Sequence, residues 1–175
     1  FFNEMSTRDK VSAAELEQPG KFAWCVFDQQ VYDNNKAVAK YDKAGIVVTG
    51  TDIADLATKI EVDPAALQTT VDAYNAITTD GATDEFGRTE GCIAFAPGAM
   101  YAIKVAPGIH HAMGGVRINA NNQALDSDGN PIPGLFAAGE VTGGIHGNNR
   151  IGGNAVCDIT VFGKNVGEVV AGMFA

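Results

Sequence analysis

Between Ala106 and Val156 the chain reads APGIHHAMGG and then, from Pro131, PIPGLFAAGEVTGGIHGNNRIGGNAV. Two adjacent histidines, an acidic residue closing an apolar segment and an arginine opening a glycine-rich helix start come close together in sequence. Such a set can hold both a dinucleotide and a small carboxylate, which points to redox chemistry on an organic acid.

Each member of the set carries a specific expectation. Gly152 and Gly153 stand where a helix should begin. Glycines there let a ligand approach the backbone amides, and the helix dipole favours negative charge at that end. In a flavoenzyme the charge is that of the reduced ring near N1 and O2; the alternative is a glycine turn that only permits close helix packing. Arg150 follows the polar loop GIHGNN, which offers little apolar anchorage. A planar clamp on a carboxylate is one use for it, and a surface ion pair is the other. Glu140 ends LFAAGE, read here as a short buried strand, where a carboxylate commonly partners ribose hydroxyls. The full GxGxxG spacing is missing, so a solvated strand-end carboxylate fits equally well. His110 and His111, if on a strand, point to opposite faces and take different tasks. A histidine beside an anionic substrate can stay protonated and donate to a carboxylate. A metal site drawing in His146 and Glu140 fits no common zinc spacing, so no metal is expected. Arg8, in NEMSTRD, reads as a second carboxylate clamp or an ion-pair partner of Asp9. Its residue type alone does not suggest an acid, because a guanidinium normally keeps its proton.

These residues need elements to position them. A helix is expected over Ser12 to Gln18, with Ser12 as N-cap and Glu15 completing a capping box. Phe22 to Phe27 reads as a buried strand, and Ile53, Leu56 and Ile60 fall at helical spacing behind Asp52. Asp63-Pro64 opens a further helix with Leu67, Val71 and Tyr74 on one face, ending near Asp80-Gly81. A polar loop should follow over Ala82 to Gly91, and then a strand over Tyr101 to Val105. Val116 to Asn119, a turn at Asp126 to Asn130 and Pro131 onward predict an antiparallel hairpin. Leu135 to Ala138 reads as a strand stopped by Gly139. Asn154 to Met173 predicts an amphipathic helix with Ala155, Ile159, Phe162, Val166 and Val170 in one stripe.

The 175 residues are 46% hydrophobic, enough for one ordinary domain or two small lobes. The net charge of −9 argues against nucleic acid, so an anionic substrate must be held by local cations. Cys25, Cys92 and Cys157 form no zinc, haem or disulfide pattern and read as scattered buried thiols. No run of about eighteen apolar residues predicts a membrane span. The opening FFNE, apolar and without methionine, reads as the interior of a longer polypeptide, of which this chain would be the C-terminal part. The composition shifts near Ala106, which divides a mixed helical lobe from a nucleotide-domain tail.

The segments FFNEMSTRDKVSAA, APGIHHAMGGV, IPGLFAAGEVTGG, HGNNRIGGNAV and DITVFGKNVGE resemble the soluble fumarate reductases of the flavocytochrome c type. Urocanate reductases and related FAD-dependent enoate reductases look similar. The resemblance is strongest after Ala106 and in the first dozen residues, and loosest between Val31 and Phe95. It implies an α+β to α/β fold: residues 1–105 as the later part of a mobile capping (substrate) domain, and residues 106–175 as the C-terminal segment of a Rossmann-like FAD-binding domain. The N-terminal dinucleotide fingerprint of that domain is absent, so the rest of the polypeptide, or a companion chain, would complete the FAD site. The resemblance also implies roles. Arg8 falls on the proton donor, His110 and Arg150 on the grip of one substrate carboxylate, and Gly153 on the lining of that pocket. His111, Glu140, Ala155 and Val156 fall on contacts to a non-covalent FAD. The backbone at Ala112 to Gly114 and Thr142 falls where some members hold sodium.

On that template the expected reaction is reduction of an α,β-unsaturated carboxylate, most simply fumarate to succinate, with hydride from flavin N5 and a proton from Arg8. The family role makes Arg8 an acid that the residue type alone did not suggest, which a proton relay through neighbouring acidic residues would reconcile. Urocanate or another enoate is the alternative substrate, and a non-catalytic flavin-domain fragment the alternative class. Relatives with haem domains in the periplasm and relatives with covalent flavin domains in the cytosol both fit, and the electron donor stays open.

Overall fold

A computed structural model describes residues 2–79, 81–89 and 91–175. The chain forms two compact units, Phe1–Pro107 and Gly108–Ala175, both mixing helix and sheet.

The first unit is built around the central strand of a three-stranded antiparallel sheet. Strand β3 (Met100–Val105) lies between β1 (Ala23–Asp28) and β2 (Val47–Gly50), with Phe27 opposite Tyr101 and Val48 opposite Ala102. Side chains alternate across a strand, so β3 serves two cores. Met100 and Ala102 join Leu56 and Ile60 on one face, with Trp24, Val48, Leu67 and Phe95 packed around them. Tyr101 joins Phe27 and Val38 on the other, and its ring stacks between Phe27 and Tyr32. Leu56, on α4 (Ile53–Lys59), is fully buried, a burial that contributes about 2 kcal/mol. It lies so close to the end of β2 that a side chain at Gly50 would meet its Cβ at 2.6 Å.

Local capping explains the helices. The Asp52 carboxylate accepts from the Asp55 amide at 2.9 Å to start α4, and Asp63 accepts from the Ala65 amide at 2.9 Å as α5 (Pro64–Thr79) begins. The expected end of α5 near Asp80 falls outside the described residues. Two short helices that the pattern did not reveal, α2 (Gln29–Asn34) and α3 (Lys36–Lys43), are opened by the side chains of Asp28 and Asn35. Burial would push the Asp28 carboxyl up, but donors from Ala96, Val31 and Gln30 outweigh it and hold the group below its ordinary value.

Helix α1 corrects the sequence reading. It runs from Arg8 to Leu16, so Ser12 lies in its interior rather than at its cap. Thr7 is the N-cap residue and Asp9 sits in the first turn, where the Thr7 side chain holds the Asp9 carboxyl below its ordinary value. Acidic charge in a first turn suits the helix dipole, and the TRD triplet offers it earlier than Glu15 does. Arg8 is thereby the first helical residue, and it is exposed. The cysteines also differ from expectation: Cys25 and Cys157 are exposed and Cys92 is half-buried.

The second unit has little core of its own. The turn at Asp126 to Asn130 closes a hairpin between β4 (Gln123–Leu125) and β5 (Pro131–Phe136). Residues 116–119, expected as the first arm, make only isolated bridges, Val116 with Thr142 and Ile118 with Ala124. Asn122 is fully buried and ties three segments: its amide donates to the Ala137 carbonyl, and it accepts from Asn165 of α6 (Asn154–Gly172). Ala124 is the buried apolar residue of this unit among the described ones. The strand expected to be buried at Leu135 to Ala138 ends at Phe136, and Leu135 is 48% exposed. The apolar sequence is real, but nothing within this unit covers it. The α6 stripe is in the same position: Ala155, Phe162, Val166 and Val170 are half-buried, while Ile159 is exposed. Among the described residues no helix is long and apolar enough to cross a membrane.

Candidate functional site

Within the second unit, close backbone packing brings the candidate residues together. Residues 108–115 form a loop, so His110 and His111 do not lie on a strand. The amide of Val116 donates to Val141 at 2.8 Å, and that of Gly143 donates to Val116 at 3.0 Å. The approach is tight enough that a Cβ on Gly115 would lie 2.2 Å from the Val141 carbonyl oxygen. Glycine is what permits it, and it holds the histidine loop beside the segment carrying Glu140.

His110 is exposed and His111 half-buried, so the two do face different surroundings, through loop geometry rather than strand alternation. Glu140 Oε1 accepts from the Ala112 amide at 3.0 Å, and Oε2 lies 3.6 Å from His111 Nδ1. The Ala112 donor, then the nearby charges of His111, His110 and Arg150, hold the Glu140 carboxyl below its ordinary value. Although its side chain is 54% exposed, Glu140 is thus more than a solvated strand-end carboxylate: it anchors the histidine loop.

Arg150 is only 5% exposed, which removes the surface ion-pair reading. Its Nη1 donates to the Ile151 carbonyl at 3.1 Å, and its backbone amide donates to Asn149 Oδ1 at 3.0 Å. Three residues on, Gly153 caps α6 with φ +88°, a conformation that favours glycine. Nothing lies within 4 Å of where side chains on Gly152 or Gly153 would begin. These glycines therefore do not serve helix packing within the unit; they leave the helix start open. Ala155 is half-buried and Val156 exposed on the first turn of α6. Arg8 belongs to the first unit, at the start of α1.

One pair escaped the sequence reading. Asp158 of α6 is buried, with Oδ2 3.0 Å from His146 Nε2, and the His146 ring meets His111 edge-on with centroids 5.5 Å apart. A signal existed: Asp158 lies one helical turn from Ala155 and from Phe162, at the edge of the apolar stripe of α6, where a charged residue is rarely buried unless paired. Among the described residues no group of three or more His, Cys, Asp or Glu is arranged to hold a metal ion. A depression of about 410 Å³ lined by Arg117, Leu125, Gly143 and Phe162 shares no residue with this cluster.

The cluster suits a planar, polar, partly anionic group. His111 Nε2 is buried and has no hydrogen-bond partner among the described residues, and the helix start at Gly152 and Gly153 is open. Buried Arg150 adds a fixed cation beside them.

Known proteins carry the same arrangement of sequence. Residues 1–156 match the FAD binding domain family. A probable fumarate reductase of Shewanella frigidimarina is 47% identical over 171 residues, 98% of this chain and 29% of that protein. A urocanate reductase of Eggerthella lenta is 35% identical over 181 residues, 99% of this chain and 30% of that one. The open conformation of a flavocytochrome c3 fumarate reductase superposes with a TM-score of 0.78 at 47% identity, over 98% of this chain and 30% of that structure's. The chain thus spans less than a third of the length of each of these relatives.

Proposed function

The chain belongs to the FAD binding domain family, and from that premise we propose that it is the C-terminal part of a flavin-dependent enoate reductase whose substrate is fumarate. Residues 1–105 are the later part of the capping domain and residues 106–175 the last segment of a Rossmann-like FAD domain. The separation of two compact units at Pro107 and Gly108 supports that division. The N-terminal remainder of the polypeptide, or a companion chain, completes the FAD site.

The observation that carries this reading is buried Arg150, beside the His110–His111–Glu140 cluster and at the open start of α6. In a chain of net charge −9, a dicarboxylate needs such a local cation. Arg150 presents a planar fork to one substrate carboxylate and His110 donates from the loop, with Gly153 lining the pocket. Together they withdraw charge from the double bond and meet the enolate-like charge that builds on the carboxylate. His111, Glu140, Ala155 and Val156 hold the non-covalent FAD, which supplies the hydride. Arg8 delivers the proton to the other alkene carbon, so that fumarate gains one hydride and one proton and leaves as succinate. A neighbouring acidic relay restores that proton to Arg8.

Anaerobic oxidation of a reduced viologen dye by the complete flavin-loaded polypeptide tests the substrate. Rapid bleaching on fumarate, with at most a slow response to urocanate, is the expected result. The reverse order would transfer the same machinery to urocanate, the second reading that the Eggerthella relative favours. No bleaching with any enoate would leave a non-catalytic flavin-domain fragment.

The glycine start gives a separate prediction. Gly152 has ordinary backbone angles and open space around its missing side chain, so Gly152→Val strains nothing within the unit. It is expected to weaken FAD binding at least about tenfold by blocking approach to the amides, with the melting temperature of the flavin-free polypeptide unchanged. FAD titration by fluorescence quenching checks this; unaltered affinity would remove the helix start from the flavin site.

A further inference from the structure

We infer that Asp158 and His146 are a positioning pair that fixes His111 for the flavin, an inference that rests on the flavin-binding role proposed above. The starting point is the cost of Asp158. Its side chain is 3% exposed, Oδ1 is buried without a hydrogen-bond partner among the described residues, and the residue stands one helical turn from both Ala155 and Phe162, at the edge of the apolar stripe. An apolar residue would fill that position without the several kcal/mol that burying a carboxylate costs. A carboxylate can only accept, so Asp158 Oδ2, 3.0 Å from His146 Nε2, keeps a proton on that nitrogen and sets the plane of the ring. The His146 side chain is itself largely buried, and its ring meets that of His111 at an interplanar angle of 74°. His111 is thus held on one side by an oriented ring. On its other side stands Glu140 Oε2, 3.6 Å from Nδ1, on a carboxylate that the Ala112 amide keeps ionised. The remaining nitrogen, His111 Nε2, is buried and finds no hydrogen-bond partner among the described residues.

The line Asp158–His146–His111–Glu140 therefore immobilises one imidazole and leaves a single buried nitrogen, Nε2, with its hydrogen-bonding capacity unused among the described residues. Neither Asp158 nor His146 touches substrate or flavin; both act through His111. Partners that orient a metal-bound histidine commonly change function about ten- to a hundredfold when removed, and an effect at the lower end of that range is expected for this pair.

The distinction from a purely structural pair, one that only ties the loop at 144–150 to α6, lies in what each variant changes. In the complete flavin-loaded polypeptide, Asp158→Asn is expected to lower kcat per bound flavin about tenfold. The KM for fumarate should stay within about twofold, because the carboxylate grip belongs to His110 and Arg150. The flavin absorption maximum and midpoint potential should move with kcat. His146→Gln keeps an N–H donor for Asp158 but removes the ring that orients His111. It should show the same loss with a smaller change in melting temperature, and it decides alone if Asp158→Asn does not fold. Wild-type kcat per flavin, spectrum and potential in a folded variant would overturn the inference, leaving the pair a structural tie. A wild-type protein that binds FAD yet ignores fumarate would defeat the substrate reading instead, and the spectrum and potential would still decide the pair.

Discussion

Replacing Arg8 by alanine is expected to reduce kcat for fumarate about a thousandfold, within the range one general acid contributes, while the polypeptide keeps its FAD and its visible spectrum. The separation of effects follows from placement. Arg8 is the first residue of α1, a helix that buries none of its side chains within its unit and is opened by Thr7 and Asp9. Alanine is the most favourable helix residue, so the helix survives the change. The residues assigned to the flavin lie in the other unit, at His111, Glu140, Ala155 and Val156. Loss of turnover with flavin retained therefore reports on proton delivery and not on assembly. Flavin content by absorbance, followed by kcat at saturating fumarate, checks this. Activity within about tenfold of wild type would remove Arg8 as the acid.

Arg150→Lys is expected to act on a different parameter. Lysine keeps the charge but loses the fork, and its shorter set of donors must choose between the substrate carboxylate and the Ile151 carbonyl that Nη1 now serves. Because Arg150 is almost fully buried, water cannot replace the missing contact. We expect kcat/KM to fall about a hundredfold, equivalent to about 3 kcal/mol of transition-state binding. A large share should appear in KM, since the carboxylate is gripped in ground and transition states alike. Arg150→Ala should cost more, because it removes the cation altogether. Steady-state kinetics with fumarate distinguishes the two arginines: Arg8→Ala lowers kcat with KM nearly unchanged, and Arg150→Lys raises KM. A lysine variant with wild-type KM would contradict the clamp.

The parts of the fold that were legible in sequence are those where a local chemical signal and the burial pattern agree. Asp52 and Asp63-Pro64 announced α4 and α5 because each carboxylate caps the helix directly behind it. The Asp126 to Asn130 turn was legible because the Asp126 side chain accepts from the amides of Asp128 and Asn130. Between Asp28 and Gly50 the signal failed. Helices α2 and α3 are shorter than the window over which periodicity shows, and α3 buries only Val38. Ser12 misled because a capping box is a local pattern, and Thr7, five residues earlier, offered a better start with Asp9 in the first turn behind it. Leu135 misled in another way: apolar sequence predicts burial, but burial needs a covering layer, and none is supplied within residues 108–175.

At the site, residue types were more legible than geometry. His111 and Glu140 lie 29 positions apart, and the glycine-permitted contact of Gly115 with Val141 that joins their segments has no periodic signature. Arg150 showed its chemistry by lacking an apolar reason to be there, and its burial confirms only that it is held inside the unit. Asp158 escaped because its neighbours on the stripe read as ordinary core, which conceals a single carboxylate among them.

The central claim is that this chain belongs to a protein whose reduced flavin is oxidised by fumarate. Its most direct test is a single turnover: the complete polypeptide, loaded with FAD and photoreduced without oxygen, is mixed with fumarate while flavin absorbance is followed. Full return of the oxidised flavin spectrum, with one succinate formed per flavin, is the result predicted. A flavin that stays reduced in the presence of saturating fumarate would contradict it.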